Sequence, residues 1–205
     1  GRLYAAGTRE RDFAPSEAGG WYLYWSDDGG AWERVYEGQP YHDFTQGLAP
    51  DPARPSRVVS AGWYGLWAST DGGRTWRTLD VNARAFSVAW DPAGGGVYAG
   101  LGNHGLYRLR LPDQPAAGDS SAEAEPLGGA QDRVQSLYVD AGGEVFALGV
   151  GENVLYRASR DSISPVAGFG AQVHVITGGP SEPGAVYVAG RRKLYRVESG
   201  GAGAP

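Results

Sequence analysis

The fold is decided by the stretch Leu66-Trp-Ala-Ser-Thr-Asp-Gly-Gly-Arg-Thr-Trp76, which predicts a strand, a tight turn and the start of another strand. Its spacing is Ser-x-Asp-x-Gly-x-Thr-Trp, in which short polar side chains hydrogen-bond to the amides of the turn. Glycine adopts a positive φ there without steric cost, and the tryptophan supplies an apolar anchor under the turn. The residues that fit this spacing are Ser69, Asp71, Gly73, Thr75 and Trp76.

An imperfect second copy of this pattern is Trp25-Ser-Asp-Asp-Gly-Gly-Ala-Trp32. Its Ser-to-Trp spacing is one residue shorter, and Ala31 stands where the other copy has a threonine. Both copies resemble the Asp-box of the bacterial-neuraminidase-type repeat, a motif of β-propellers. The resemblance implies that both turns are structural and lie at the blade periphery, away from the ligand face. The matching residues in this copy are Ser26, Asp28, Gly30 and Trp32.

Two strings recur five times along the chain. The first is apolar and ends in small residues, as in Val97-Tyr-Ala-Gly-Leu101, and the second follows after a loop, as in Gly105-Leu-Tyr-Arg-Leu109. The leucine of the second string marks the period, with spacings of 43, 40, 49 and 39 residues. Such spacings are typical of a four-stranded propeller blade. The five leucines are Leu23, Leu66, Leu106, Leu155 and Leu194.

A complete unit predicts four strands, labelled A to D from the centre outward, and no segment has convincing helical periodicity. The first unit lacks strand A and the fifth lacks strand D, so we expect a segment of a longer propeller. The predicted fold is all-β, a β-propeller of four-stranded antiparallel blades with about five repeats. The predicted domain covers residues 1–199, with repeats at approximately 1–38, 39–80, 81–129, 130–170 and 171–199, followed by a Gly-rich tail or linker at 200–205.

The composition argues against several functional classes. The formal net charge is −5, from 18 basic and 23 acidic residues, so a nucleic acid is not the expected partner. Cysteine is absent and the three histidines lack metal-ligand spacing, so neither a metal nor a cofactor is expected. No apolar run is long enough to span a bilayer. We place His174 in an A strand, as a channel or core residue, and find no nucleophile-elbow or phosphate-binding motif.

The best ligand candidates lie in the B–C and D–A loops, which we expect to form one face. Arginines there would suit an anionic partner, and two consecutive aromatic residues could stack on sugar or peptide. The alternatives are that the arginines pair with Asp43, Asp132 or Glu152 and that the aromatic residues pack against the neighbouring blade. The candidates are Arg84, Arg133, Arg191, Arg192, Trp63, Tyr64 and His104.

The Asp-box superfamily that the chain resembles includes sialidases, xyloglucanase-type hydrolases, sortilin-type receptors and the photosystem II assembly factor. One fold hosts many functions, so the resemblance is specific for fold and not for activity. The Arg-Ile-Pro motif of sialidases is absent, and the chain is too short for the two propellers of xyloglucanase-type enzymes. We therefore predict a non-catalytic, extracytoplasmic binding or scaffold module for a protein, carbohydrate or anionic partner. The alternative is a glycoside hydrolase, or a fragment of one, with Asp43, Asp132 or Glu152 as the carboxylates.

Overall fold

A computed structural model describes residues 2–8, 21–37, 46–81, 83–94, 96–102, 104–112, 122–127, 133–149, 153–159, 162–179 and 182–198. The regular structure in these ranges consists of β-strands. Within the same ranges, no helix is long and apolar enough to cross a membrane. The predicted all-β fold is therefore confirmed.

The described strands form five antiparallel sheets, in each of which consecutive strands are neighbours. The bounds are β1 (Leu3–Thr8), β2 (Trp21–Ser26) and β3 (Glu33–Glu37) in the first sheet; β4 (Gly47–Pro50), β5 (Val58–Gly62), β6 (Gly65–Ser69) and β7 (Arg77–Leu79) in the second; β8 (Ala85–Trp90), β9 (Gly96–Leu101), β10 (Leu106–Arg110) and β11 (Glu123–Leu127) in the third; β12 (Val134–Val139), β13 (Val145–Gly149), β14 (Val154–Ala158) and β15 (Ile163–Gly168) in the fourth; and β16 (Val173–Gly179), β17 (Glu182–Gly190) and β18 (Leu194–Glu198) in the fifth.

The sheets correspond to the five repeats of the sequence. Among the described residues, the first sheet contains strands B, C and D, the next three contain all four strands, and the fifth contains A, B and C. The A strands β4, β8, β12 and β16 lie next to one another in that order, so the sheets are arranged radially around them. The B strands β5, β9 and β13 are buried along their whole length. These strands are buried on both faces, which explains why they are apolar along their length instead of alternating apolar and polar residues.

Apolar clusters join the second sheet to the third, the third to the fourth and the fourth to the fifth. The residues that fill them come mainly from the recurring strings, such as Leu66, Leu106 and Leu155, each no more than 1% exposed. Burying a side chain of this size contributes about 1.5–3 kcal/mol. The period-marking leucines of these three sheets thus lie in or beside the contacts that hold successive sheets together.

The contact between the first and second sheets is more polar. The Tyr4 hydroxyl donates to the Pro55 carbonyl oxygen at 2.6 Å, and Arg74 pairs with Glu33 at 3.3 Å. The guanidinium of Arg74 also lies 5.8 Å from the ring centroid of Trp25 in the first sheet. Among the described residues, no apolar cluster spans this boundary comparable to those between the other sheets. We therefore expect the first sheet to be the least firmly attached of the five.

Three of the A strands have a one-residue shift in register close to their first residue. The shifts fall at Phe86 in β8, Gln135 in β12 and His174 in β16. Such a β-bulge leaves one residue out of the ladder and re-aims the neighbouring side chains. The Gln135 side-chain amide donates to the backbone carbonyl oxygens of Val173 (3.2 Å) and His174 (2.7 Å), so one bulge is tied to the next.

Close packing of the A strands requires glycine at Gly178 in β16. A Cβ at this position would overlap with the ring of Tyr138 in β12. The two inner strands can approach this closely only because no side chain separates them.

An arginine on strand C pairs with a carboxylate at the A–B turn of the same sheet in the third, fourth and fifth sheets. This pairing was not anticipated from the sequence. It explains the arginine of the recurring Leu-Tyr-Arg string as an intrablade contact. The pairs are Arg108–Asp91 at 3.0 Å, Arg157–Glu144 at 3.9 Å and Arg196–Glu182 at 3.2 Å.

Candidate functional site

Antiparallel pairing places the B–C turns and the starts of the A strands at the same end of the sheets. Ala85, the first residue of β8, lies beside Leu101, the last residue of β9, and the fourth and fifth sheets are paired in the same way. We call this end the loop face. Its described members include the seven candidate ligand residues Trp63, Tyr64, Arg84, His104, Arg133, Arg191 and Arg192.

The structure brings three of these candidates together. Trp63 and Tyr64, in the turn between β5 and β6, are 50% and 60% exposed. Arg84, just before β8, places its guanidinium carbon 4.4 Å from the centroid of the Trp63 ring. The D–A loop of one sheet thus contacts the B–C turn of the preceding sheet. A guanidinium stacked on an indole is held in place. Its N–H groups lie in the guanidinium plane and point away from the indole, so they remain able to donate hydrogen bonds.

These residues line an open cleft of about 400 Å³. This volume is within the range of ligand-binding pockets. Its remaining wall is built from β7 and the loop that follows, and Asp80 contributes an exposed carboxylate. The cleft is lined by Trp63, Tyr64, Gly65, Thr78, Leu79, Asp80, Val81, Ala83 and Arg84.

The other arginines of the loop face lie on neighbouring sheets. Arg133 repeats the position of Arg84 in the next sheet, with its guanidinium 4.9 Å from the centroid of the bulged Phe86 ring. Arg191 and Arg192 are exposed in the turn between β17 and β18. In the part of the chain that the structure describes, no ion pair joins any of these four arginines to a carboxylate.

The suggested carboxylate partners Asp43, Asp132 and Glu152 lie outside the described residues. The pairing alternative, and the same three residues as hydrolase carboxylates, therefore stay predictions.

Histidines do not form a metal site in the described ranges. His104 is exposed in the turn after β9, and its amide donates to the Leu101 carbonyl oxygen at 2.8 Å. Within those ranges, no three of the residues His, Asp and Glu are grouped so as to hold a metal ion. His174 lies in an A strand, but it is exposed rather than in the core, because it is the bulged residue of β16.

The Ser69–Trp76 turn lies at the opposite end from the loop face, between β6 and β7. The Ser69 hydroxyl oxygen accepts the amide of Gly73 at 2.8 Å, and Asp71 Oδ1 accepts the amide of Thr75 at 2.9 Å. The Thr75 hydroxyl donates to Asp71 Oδ2 at 2.6 Å, and the Trp76 indole donates to the Gly73 carbonyl oxygen at 2.9 Å. All five patterned residues are engaged in holding the turn.

These bonds change the acidity of Asp71. Partial burial pushes its pKa upward, but hydrogen bonds from Thr75, Ser69 and Arg74 outweigh that effect, and the pKa is lowered from its ordinary value. A carboxyl group held ionised in this way is suited to a structural role and not to proton transfer near neutral pH.

The shorter Ser26–Trp32 turn is held by hydrogen bonds from its own serine and aspartate. The Ser26 hydroxyl oxygen accepts the amide of Gly29 at 2.8 Å, and Asp28 Oδ1 accepts the amide of Gly30 at 2.8 Å. The Gly30 amide and then the Ser26 hydroxyl lower the pKa of Asp28. Trp32 is 44% exposed, whereas Trp76 is partly buried. The missing residue thus leaves the anchor less covered.

Comparison with known proteins identifies the fold. No family model matches the sequence, and no curated protein matches it. The computationally designed Ika4 protein is similar in structure, with a TM-score of 0.55, 12% identity, and coverage of 76% of this chain and 91% of that one. The structure of YCF48 bound to D1 peptide is similar with a TM-score of 0.54, 16% identity, and coverage of 91% of this chain and 68% of that one. Both are β-propellers.

The chain is a β-propeller. Identities this low show the fold alone, so the functional residues of the propeller have to be argued from its own geometry.

Sequence reasoning missed two components of the loop face. Asp80 was not considered, although it follows directly on β7 and so enters the D–A loop. Phe86 lies in β8, and only the structure shows that it is bulged and that its ring supports Arg133. A carboxylate at a D–A boundary can be found from the repeat pattern. A bulge has no sequence signal here.

Proposed function

We propose that this β-propeller is a non-catalytic module that captures a protein partner through anionic groups presented to its loop face. The observation that carries the proposal is the set of exposed arginines Arg84, Arg133, Arg191 and Arg192, which form no ion pair with a carboxylate among the described residues. The chain as a whole has a net charge of −5, so this concentration of positive charge is local. Local fields of this kind steer and orient a partner of opposite charge.

Stacking supports the proposal, because it orders two of the arginines before binding. Arg84 rests on Trp63 and Arg133 on Phe86. An unrestrained arginine loses rotamer freedom when it binds, and a stacked one loses less. The planar guanidinium can then accept a carboxylate in a bidentate arrangement.

The structural neighbour YCF48 was solved bound to D1 peptide, which supports a protein as the partner. We also propose that the Ser69–Trp76 and Ser26–Trp32 turns are Asp-boxes and that the chain belongs to the Asp-box superfamily. The hydrogen bonds around Asp71 support this assignment. We further propose an extracytoplasmic location and a place in a larger assembly.

The test is binding of the whole chain to short immobilised peptides of graded net negative charge. We expect capture to rise with negative charge, and the double variant Arg84→Ala/Arg133→Ala to weaken it by about two- to five-fold per arginine, the equivalent of roughly 0.5–1 kcal/mol each. Arg110→Ala is the matched control, because this exposed arginine pairs with Glu125 away from the loop face. Equal capture by the double variant and the control would refute the proposal. Circular dichroism establishes that both variants remain folded.

A further inference from the structure

The cleft beside Trp63 contains two opposite charges that do not neutralise each other. Asp80 and Arg84 both line it and both are exposed. Their charged atoms lie more than 4.0 Å apart, and in the described part of the chain neither side chain forms an ion pair. Unpaired charges of both signs in one cleft are complementary to a ligand that also carries both signs.

Backbone hydrogen bonds hold the two ends of the segment that carries these residues. The Val81 amide donates to the Leu79 carbonyl oxygen at 2.9 Å, which closes a tight turn with Asp80 at its centre. The Arg84 carbonyl oxygen accepts the amide of Gly102 at 2.7 Å, which ties the other end of the loop to the next sheet. The Arg84 side chain is in turn held on Trp63. The preorganised Arg84 guanidinium loses little rotamer entropy on binding.

Gly65 allows the turn between β5 and β6 to approach the loop that follows β7. Its φ is +110°, and a Cβ there would lie 3.3 Å from the Ala83 carbonyl oxygen. The turn that presents Trp63 and Tyr64 therefore packs closely against the loop that presents Arg84. The ring of Tyr64 and the partly buried Val81 add apolar surface to the lining of the cleft.

We propose that this cleft binds an amphoteric segment of polypeptide, in which an acidic residue reaches Arg84, a basic residue reaches Asp80, and an apolar side chain between them packs on Tyr64. The inference rests on the proposed function and names the feature of the partner that the cleft selects. A purely anionic segment is attracted by Arg84 and repelled by Asp80, whereas an amphoteric one leaves neither charge unpaired on desolvation. Neutral sugars can hydrogen-bond to both side chains but neutralise neither charge. Asp80 thus lowers the affinity of this cleft for purely anionic ligands that Arg84 alone would accept.

The experiment uses the intact chain and synthetic blocked peptides with Gly-Ser flanks. The parent probes contain Glu and Lys separated by one or two leucines, in both orders, and the companion probes replace Glu by Gln, Lys by Gln, or both. Titrations are followed by NMR, with the indole N–H signals of the tryptophans as the readout. We expect the best parent probe to bind more tightly than either singly substituted probe, by about two- to five-fold for each charge.

Two variants test which residue recognises each charge of the probe peptide. Asp80→Asn should abolish the preference for Lys over Gln and keep the preference for Glu. Arg84→Gln should abolish the preference for Glu over Gln and keep the preference for Lys. Arg110→Gln is the control, since this exposed arginine pairs with Glu125 away from the loop face. Unperturbed indole signals other than those near the cleft show that each variant is folded.

The outcomes separate this inference from the proposed function. If acidic peptides bind through the arginines but Asp80→Asn leaves the Lys preference unchanged, the cleft inference is wrong and the proposed function stands. If the wild-type chain binds none of the amphoteric probes at millimolar concentration, the cleft inference is also wrong. If binding of the graded acidic peptides also does not depend on Arg84 and Arg133, both the cleft inference and the proposed function are refuted.

Discussion

Replacing Arg108 with methionine removes one half of a buried ion pair in the third sheet. The side chains of Arg108 and Asp91 are 14% and 4% exposed, and their closest nitrogen–oxygen distance is 3.0 Å. Methionine keeps most of the apolar stem, so the main change is the loss of the charge that compensates the Asp91 carboxylate. Breaking such a pair from one side costs about 3–5 kcal/mol, because the remaining charge stays buried without a partner.

Two details place the expected loss of unfolding free energy at the lower end, about 3 kcal/mol. Asp91 retains one hydrogen bond, from the amide of Ala93 at 3.0 Å. The Nε of Arg108 is buried without a hydrogen-bond partner among the described residues, so the wild-type chain already bears part of the desolvation cost.

The matched control is Arg157→Met, at the equivalent position of the fourth sheet. Arg157 and Glu144 are 3.9 Å apart with side chains 41% and 47% exposed, so this pair contributes at most about 1 kcal/mol. Urea unfolding of the whole chain, followed by tryptophan fluorescence, measures both variants. The double variant Asp91→Asn/Arg108→Met should recover part of the loss, because the uncompensated charge is removed. An Arg108→Met loss no greater than that of Arg157→Met would refute the burial argument.

Two further predictions concern the turns and the first sheet. The pKa of Asp71 is lowered in the folded state, so its stabilisation is present above the unfolded-state pKa and is lost as the pH falls through the folded-state pKa. Urea unfolding between about pH 5 and pH 2 should therefore show a steeper loss of unfolding free energy for the wild type than for Asp71→Asn, and parallel curves would contradict this. Native-state hydrogen exchange should show lower opening free energies for β1 and β2 than for β9 and β13, because no comparable apolar cluster ties the first sheet to the second among the described residues. Uniform protection would count against that reasoning.

The repeat could be predicted from the sequence because successive sheets use the same strings for the same strands, although Leu194 of the fifth sheet is 69% exposed. The five leucines, the apolar B strands and the order of strands A to D all follow from local pattern and spacing. Strand ends were less well defined, since the string Gly105–Leu109 corresponds to β10 at Leu106–Arg110. Ladder ends depend on pairing with the next strand, which a single segment does not encode.

The candidate site was only partly accessible to the same reasoning. The repeat register placed Arg84 and Arg133 at equivalent positions, and the structure shows both stacked on aromatic rings. The partners of that stacking come from residues distant in the repeat, Trp63 in the preceding sheet and Phe86 at a bulge. Contacts between sheets depend on the angle at which the sheets pack, and no local pattern reports that angle.

The bulges at Phe86, Gln135 and His174 also affect how this molecule can vary. Each bulge absorbs one residue at the point where a D–A loop enters an inner strand, so the pairs beyond it, such as Trp90 with Val97, keep their alignment. Insertions, deletions or grafts on the loop side of a bulge would therefore be taken up before they reach the ladder. The loop face can diversify in length and chemistry while the radial scaffold behind it is unchanged, which makes it a natural place to install new binding specificities.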